Sequence, residues 1–286
     1  MSENITHTDG TFMGPYGKKI YHQAWIPERT PRAVLLLTHG LKEHSRRYGN
    51  LVQYFTPLGY AIYGYDQPGH GRSGGTRTYI DDFQELTDIL QLFVEKVQSW
   101  QPDIPLFMYS HSFGTLISLT VLPDHQKDFR GAIFSGTVFS IPEGTSPLFI
   151  IVGKFFSKIL PKLRILPIDV EGISRDPRVI QDYRDDPLVF PGKTTARLGA
   201  EIIKAIKRAR VRASEIGLPT LILQGSEDRV VDPQGAHDLY RMISSPDKTL
   251  NVYQGYFHEL HNEPEPERKK VFEDVETWLE RQLSTL

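Results

Sequence analysis

The stretch from Ile104 to Leu116, IPLFMYSHSFGTL, admits few folds. Ile104 to Tyr109 reads as a buried strand and Thr115 to Leu119 as the body of a helix, so the chain must reverse direction within Ser110-His111-Ser112-Phe113-Gly114. A small-x-Ser-x-small pentapeptide between strand and helix holds its serine in a strained turn with the hydroxyl above the sheet edge. The two backbones lie close there and leave little room for flanking side chains. The usual pattern has glycine at both flanks, whereas here the first is Ser110; its Cβ fits if the turn opens slightly. Small residues are common at any strand-to-helix turn, so the pentapeptide alone does not establish a nucleophile.

The flanking sequence repeats the same alternation. Residues 11–26 read as a hairpin around Gly14-Pro15-Tyr16-Gly17. Ala33 to Thr38 is a continuous run typical of a strand covered on both faces, and it ends in His39-Gly40-Leu41. After a helix over 46–57, Tyr60 to Tyr65 is a second such strand and empties into the glycine-rich loop Asp66 to Gly75. Phe83, Leu86, Leu90, Phe93, Val94 and Val97 mark one face of a helix over 79–99, and Gly131 to Ser135 is a further strand. The alternation resumes with a strand at 219–224, a helix at 233–243, a strand at 248–253 and a closing helix at 266–282. This spacing predicts an α/β fold, a mostly parallel central sheet with helices on both faces and its active site beyond the C-terminal strand ends. Between 137 and 213 the rhythm breaks into an apolar segment, Pro147 to Leu160, a proline-punctuated stretch and a helix around 194–209. We read 137–213 as an inserted cap on a core formed by 1–136 and 214–286. Its apolar helix either packs on the core or offers a face to an apolar substrate or a lipid surface.

Hydrophobic residues make up 39% and aromatics 11% of 286, enough for one large domain with such an insertion. The lack of cysteine removes thiolate nucleophiles, disulfides and Cys-ligated metals, and fits a reducing compartment. A net charge of -2 and a pI of about 6.6 offer no bulk attraction for nucleic acid. The first twelve residues show no basic-then-apolar signal pattern. No stretch approaches the roughly 18 apolar residues a bilayer span needs, so a soluble, cytoplasmic protein is expected.

A serine hydroxyl is a poor nucleophile until an imidazole takes its proton, and the imidazole needs a carboxylate to fix its tautomer. Asp228 lies just past the strand at 219–224 and His258 just past the strand at 248–253, so both face the rim that carries Ser112. Glu227 is an alternative carboxylate, Asp232 is placed to cap the helix that follows Pro233, and His261 competes with His258, which lies nearer its strand end. The oxyanion of a tetrahedral intermediate needs backbone N–H donors; Phe113, at the start of a helix, and Leu41, in the loop after an earlier strand, supply them. His39, Glu43, His44 and Asp66 are read as loop-bracing rather than catalytic. No His-Glu-x-x-His motif occurs, and the Gly69/Gly71/Gly74 cluster lacks a Walker lysine and a dinucleotide-type spacing, so neither a metal nor a cofactor is expected.

Taken together, the chain resembles the α/β-hydrolases, and within them the monoacylglycerol lipase and lysophospholipase group, also described with the serine aminopeptidase-like hydrolases. The resemblance rests on His39-Gly40-Leu41-Lys42-Glu43-His44-Ser45, on Asp66 to Gly75, on Asp186-Pro187-Leu188, on Gln224 to Val231, and on Asp247 to Leu250 with Tyr253 to Glu263. It implies Ser112 as nucleophile, Asp228 as orienting acid, His258 as base, Leu41 and Phe113 as oxyanion donors, and a cap that holds the acyl chain. The reaction it implies is hydrolysis of a monoacylglycerol to free fatty acid and glycerol through an acyl-enzyme. The alternative is a lysophospholipase or general carboxylesterase with the same triad, which Lys154, Lys158, Lys162 and Arg164 leave open. A peptidase is less well supported, because the cap offers no acidic cluster for a free amine. Epoxide and haloalkane hydrolysis would need an aspartate where Ser112 stands. The expected partner is a small lipid, with transient membrane-surface contact through the cap left open, as is the oligomeric state.

Overall fold

The computed structural model describes residues 5–141, 147–167 and 169–284; the side chains at 147–151, 154 and 166, Lys154 of the expected cap among them, lie outside the described residues. The N-terminal hairpin is longer than its sequence signal. β1 (Ile5–Met13) and β2 (Lys19–Pro27) pair antiparallel along their whole length. Then follow β3 (Ala33–Thr38), α1 (Gly49–Phe55), β4 (Tyr60–Tyr65), α2 (Gln84–Trp100), β5 (Leu106–His111), α3 (Phe113–His125) and β6 (Gly131–Ser135). After α4 (Pro147–Ile159), β7 (Arg164–Leu166), α5 (Pro177–Asp185), β8 (Thr194–Thr195) and α6 (Ala196–Arg212), the chain returns to the sheet. It does so with β9 (Thr220–Gly225), α7 (Gln234–Met242), β10 (Lys248–Tyr253) and α8 (Glu267–Leu283).

The main sheet runs β1-β2-β4-β3-β5-β6-β9-β10, antiparallel at β1-β2-β4 and parallel from β4 to β10. Alternate residues of the central strands serve opposite faces, as the two-residue period of a strand requires. Val34 and Leu36 pack with Met108 and Phe134 beneath α2, α3, α6 and α7. Leu35 and Leu37 pack with Phe107, Tyr109 and Ile133 against α1 and α8, where Phe272, Val275 and Trp278 close the second face. Each such buried aliphatic side chain contributes about 1.5–3 kcal/mol of transfer free energy.

The strand order reverses around β3: β4 lies to one side and β5 to the other, with Thr38 paired to Ser110. The loops that follow β3 and β5 therefore diverge side by side, which is where parallel sheets open a crevice.

Two features of 137–213 differ from the reading of the sequence. The proline-punctuated stretch contains α5, whose start is set by Asp176 accepting from the Arg178 N–H at 2.9 Å with Pro177 in the first turn. The last helix, α6, turns Leu198, Ala205, Ile206 and Ala209 into the same cluster as α3, so it serves the core. Around α5, Ile173, Tyr183 and Val189 form a small separate cluster that packs on Val230, two residues past Asp228. Among the described residues no helix is long and apolar enough to cross a membrane.

Candidate active site

At the end of β5 the backbone of Ser112 is forced to φ 52°, ψ -123°, a conformation that L-residues rarely adopt and that costs on the order of 1–3 kcal/mol. Neighbouring bonds hold it there: the Ser112 N–H donates to Ser135 O at 2.9 Å, and Ser112 O accepts from the Thr115 N–H and hydroxyl at 2.8 and 2.6 Å. The second flank must be glycine. A Cβ on Gly114 would stand 2.1 Å from Thr38 O and 2.8 Å from His39 O. The first flank need not be, because the Ser110 hydroxyl is spoken for by Ser118 on α3 at 2.6 Å, one buried polar pair satisfying itself. Ser110→Gly is accordingly expected to keep kcat/KM within about threefold of the parent and to lower stability by about 1–2 kcal/mol. The cost combines one lost hydrogen bond with glycine's extra chain entropy, and urea unfolding beside an ester assay measures both.

The elbow faces a small cavity of about 30 Å³ lined by Gly40, Leu41, Ser112, His258, Tyr183 and Val230, among others. His258 and Ser112 thus share one wall-to-wall space, as their strand-end positions predicted. His258 Nδ1 donates to Asp228 Oδ2 at 2.7 Å, which leaves Nε2 as the nitrogen open to a proton from the serine. Asp228 is itself fixed: Oδ1 accepts from the Val230 and Val231 N–H groups at 2.9 and 3.0 Å, and Oδ2 from Gln224 Nε2 at 3.0 Å. Burial works against the charged imidazolium, but Asp228, with help from Glu259 and Glu43, outweighs it and raises the His258 pKa. Gly136, at φ 59°, makes room for the ring; a Cβ there would come within 2.9 Å of His258.

The competing residues separate in space. Glu227 is exposed, and Asp232 accepts from the Gln234 N–H at 2.9 Å at the start of α7. His261 stacks on Tyr48 with ring centroids 4.4 Å apart, neither ring nitrogen has a hydrogen-bond partner among the described residues, and burial pushes its pKa down to about 4. His111 lies 4.6 Å from His258 between ring centroids; burial, then His258 and His261, push its pKa well down.

The loop after β3 brings Leu41 to the same cavity. His39 braces it, with Nδ1 donating to Gly40 O at 2.7 Å and Nε2 accepting from the Gln67 N–H at 2.9 Å. Lys42 then turns the chain in the left-handed region at φ 70°, buried, with burial pushing its ammonium down to about 8. His44 reaches Asp186 at 2.8 Å, and Asp66 accepts from the Ser45 and Arg72 N–H groups at 2.9 and 2.8 Å. Neither the Leu41 nor the Phe113 N–H has an acceptor among the described residues, so both remain available to an oxyanion.

Reading the sequence overlooked Arg47 and Glu259. The Glu43–Arg47 spacing of four was a signal for the first; nothing local connects either to residue 259.

A strained serine on a parallel sheet, facing an aspartate-held histidine, marks a serine hydrolase of the α/β-hydrolase class. Residues 29–265 match the family described as serine aminopeptidase, S33, and the chain belongs to that family. Among its relatives are a monoacylglycerol lipase of Mycolicibacterium smegmatis, 32% identical over 96% of this chain and 97% of that protein. A monoglyceride lipase of Homo sapiens is 31% identical over 94% of this chain and 89% of the relative. The solved monoacylglycerol lipase of Paleococcus ferrophilus superposes with a TM-score of 0.79 at 26% identity, covering 98% of this chain and 99% of that one.

Proposed function

We propose that this enzyme hydrolyses the ester bond of monoacylglycerols, with Ser112 as nucleophile, His258 as general base, Asp228 as its orienting acid, and the Leu41 and Phe113 N–H groups as the oxyanion hole. The observation that carries this reading is the Asp228–His258 pair at 2.7 Å opening on the cavity that Ser112 lines, joined to the lipase relatives. Ser112 Oγ attacks the acyl carbon as His258 Nε2 takes its proton, and the carbonyl oxygen becomes an oxyanion between the two donors. When the intermediate collapses, the glycerol oxygen leaves with the proton from His258, and an acyl-serine remains. Water then repeats the sequence, giving up a proton to His258 and its oxygen to the acyl carbon, and the fatty acid departs.

The segment after β6 is the proposed cap. Because Phe139 and α6 both belong to the core cluster, the part proposed to cover the site lies between them and is narrower than 137–213; Ile173 and Tyr183 of that part line the cavity. Phe155 and Ile159 on α4 are 60% and 59% exposed, with Leu160 and Leu163 beside them, and Lys158, Lys162 and Arg164 lie nearby. An apolar face bordered by cations suits the surface of an acidic membrane, so we propose peripheral membrane contact through α4.

The test is a panel of 1-monoacylglycerols of increasing chain length beside lysophosphatidylcholine. Monoacylglycerols are expected to be preferred, with kcat/KM rising about fourfold per methylene while the pocket fills, the equivalent of about 0.8 kcal/mol per CH₂. Preference for the lysolipid would replace the substrate assignment. Phe155→Ser with Ile159→Ser should weaken co-sedimentation with anionic vesicles and leave turnover of a soluble short-chain ester unchanged; undiminished vesicle binding would remove the membrane contact.

A further inference from the structure

Glu43 and Glu259 line the cavity, and Arg47 joins them in a buried ionic array to which the proposed catalytic steps assign no role. Glu43 Oε1 accepts from the Gly40 N–H at 2.5 Å and from the Tyr48 hydroxyl at 2.7 Å, so this carboxylate holds the His39–Gly40 peptide, one peptide before the one that carries the Leu41 N–H. Its other oxygen accepts from Arg47 Nε at 3.2 Å. Arg47 Nη2 in turn donates to both oxygens of Glu259 at 2.9 and 2.7 Å, and Glu259 is the residue after His258. The guanidinium also lies 4.6 Å from the ring centroid of Tyr183 on α5. Glu43 and Glu259 are each 3% exposed, and the Arg47 side chain is 7% exposed.

We propose that Arg47 is a positioning residue: its guanidinium ties the loop that carries the Leu41 oxyanion donor to the loop that carries His258, and the α5 segment rests on that tie through Tyr183. The proposal rests on the assignment of Leu41 and His258 given above. Its physical ground is the cost of the arrangement. A buried ion pair recovers little or no net stability once desolvation is counted, so two carboxylates and a guanidinium inside the protein are better explained by the geometry they impose. Oxyanion donors act only when aimed at the developing charge, and losing one costs about 10²–10³-fold in kcat. A shift of the Gly40–Leu41 peptide relative to His258 spoils that aim while leaving the substrate's remote contacts in place.

The array also sets the field at the base. His258 faces Asp228, Glu259 and Glu43 on the acidic side, His111 and His261 as neutral rings, and Arg47 as the cation that offsets Glu43 and Glu259. Removing the cation leaves two uncompensated carboxylates, favours the imidazolium and moves the acidic limb of the kcat/KM profile to higher pH. Removing Glu259 instead moves it to lower pH. A residue that only supported the fold would shift neither limb in a charge-dependent direction.

The experiment measures kcat, KM and the pH profile on a soluble p-nitrophenyl ester for Arg47→Lys, Arg47→Met and Glu259→Gln, with Ser112→Ala as control and thermal unfolding to confirm the fold. Lysine keeps the charge but cannot bridge two carboxylates as the planar fork does. The expected result for Arg47→Lys is a kcat lowered about 10- to 100-fold with KM within threefold and the limb nearly in place. Glu259→Gln should lose about tenfold in kcat with its limb at lower pH, and a folded Arg47→Met should show its limb at higher pH. If Arg47→Met does not fold, the other two variants carry the test. Folded Arg47→Lys and Glu259→Gln variants with the parent's kcat and pH profile would overturn the proposal. Undiminished turnover by Ser112→Ala would instead overturn the underlying assignment of the site, so the two failures are distinguishable.

Discussion

Ser112→Ala is expected to lower kcat by about 10⁴- to 10⁶-fold, because the covalent route disappears with the hydroxyl and only the oxyanion donors and substrate binding remain. The fold should survive. No hydrogen bond of the Ser112 side chain occurs among the described residues, and alanine in the same strained turn keeps the backbone bonds to Ser135 and Thr115. Unfolding midpoints within about 2 °C of the parent, together with loss of labelling by a fluorophosphonate, would separate a chemical loss from a structural one. Turnover within tenfold of the parent would remove Ser112 from the mechanism.

Asp228→Asn is expected to cost about 10⁴-fold in kcat through the tautomer of His258. The Val230 and Val231 N–H groups require an oxygen at the Oδ1 position, so the new amide must turn its NH₂ towards His258. A donor there obliges Nδ1 to accept, which puts the ring's proton on Nε2 and leaves no base facing the serine. The same NH₂ meets Gln224 Nε2 donor to donor, so a stability loss of about 1–3 kcal/mol accompanies it. The sign of the pH effect is fixed. Asp228 raises the His258 pKa, so activity in the parent fails as pH falls through a value raised above that of an ordinary histidine. Without the carboxylate the limb of the residual activity moves to lower pH. A kcat within tenfold of the parent, or a limb that moves upward, would contradict the role given to Asp228.

The parallel strands were legible because a strand covered on both faces must be apolar at every position. Ala33–Thr38, Tyr60–Tyr65 and Gly131–Ser135 appear at the residues their runs predicted. The placement of Ser112, Asp228 and His258 was legible for a related reason, since each lies in the loop after a parallel strand. The cap was much less so. α5 is polar along most of its length and rests on a cluster of three buried residues, too few to print a period into the sequence. α6 was found as a helix and read as part of the inserted segment, while its buried face joins the main cluster, because amphipathicity says that a face is buried and not against what.

What the sequence determined by itself is the set of local necessities: the strand–turn–helix at Ser112, the glycine at 114, and the order of Ser112, Asp228 and His258 after successive strands of a parallel sheet. Tertiary structure alone set His258 against Asp228 and His261, three residues further on the same loop, flat on Tyr48. It alone turned Ser110 from an irregular flank into half of a satisfied pair with Ser118. It alone joined Glu43, Arg47 and Glu259, whose ends lie more than 200 residues apart. The physical reason is the same in each case. Backbone geometry and burial periodicity act over a few residues and leave their mark in sequence, whereas a hydrogen bond between distant side chains depends on where the whole sheet sets them down.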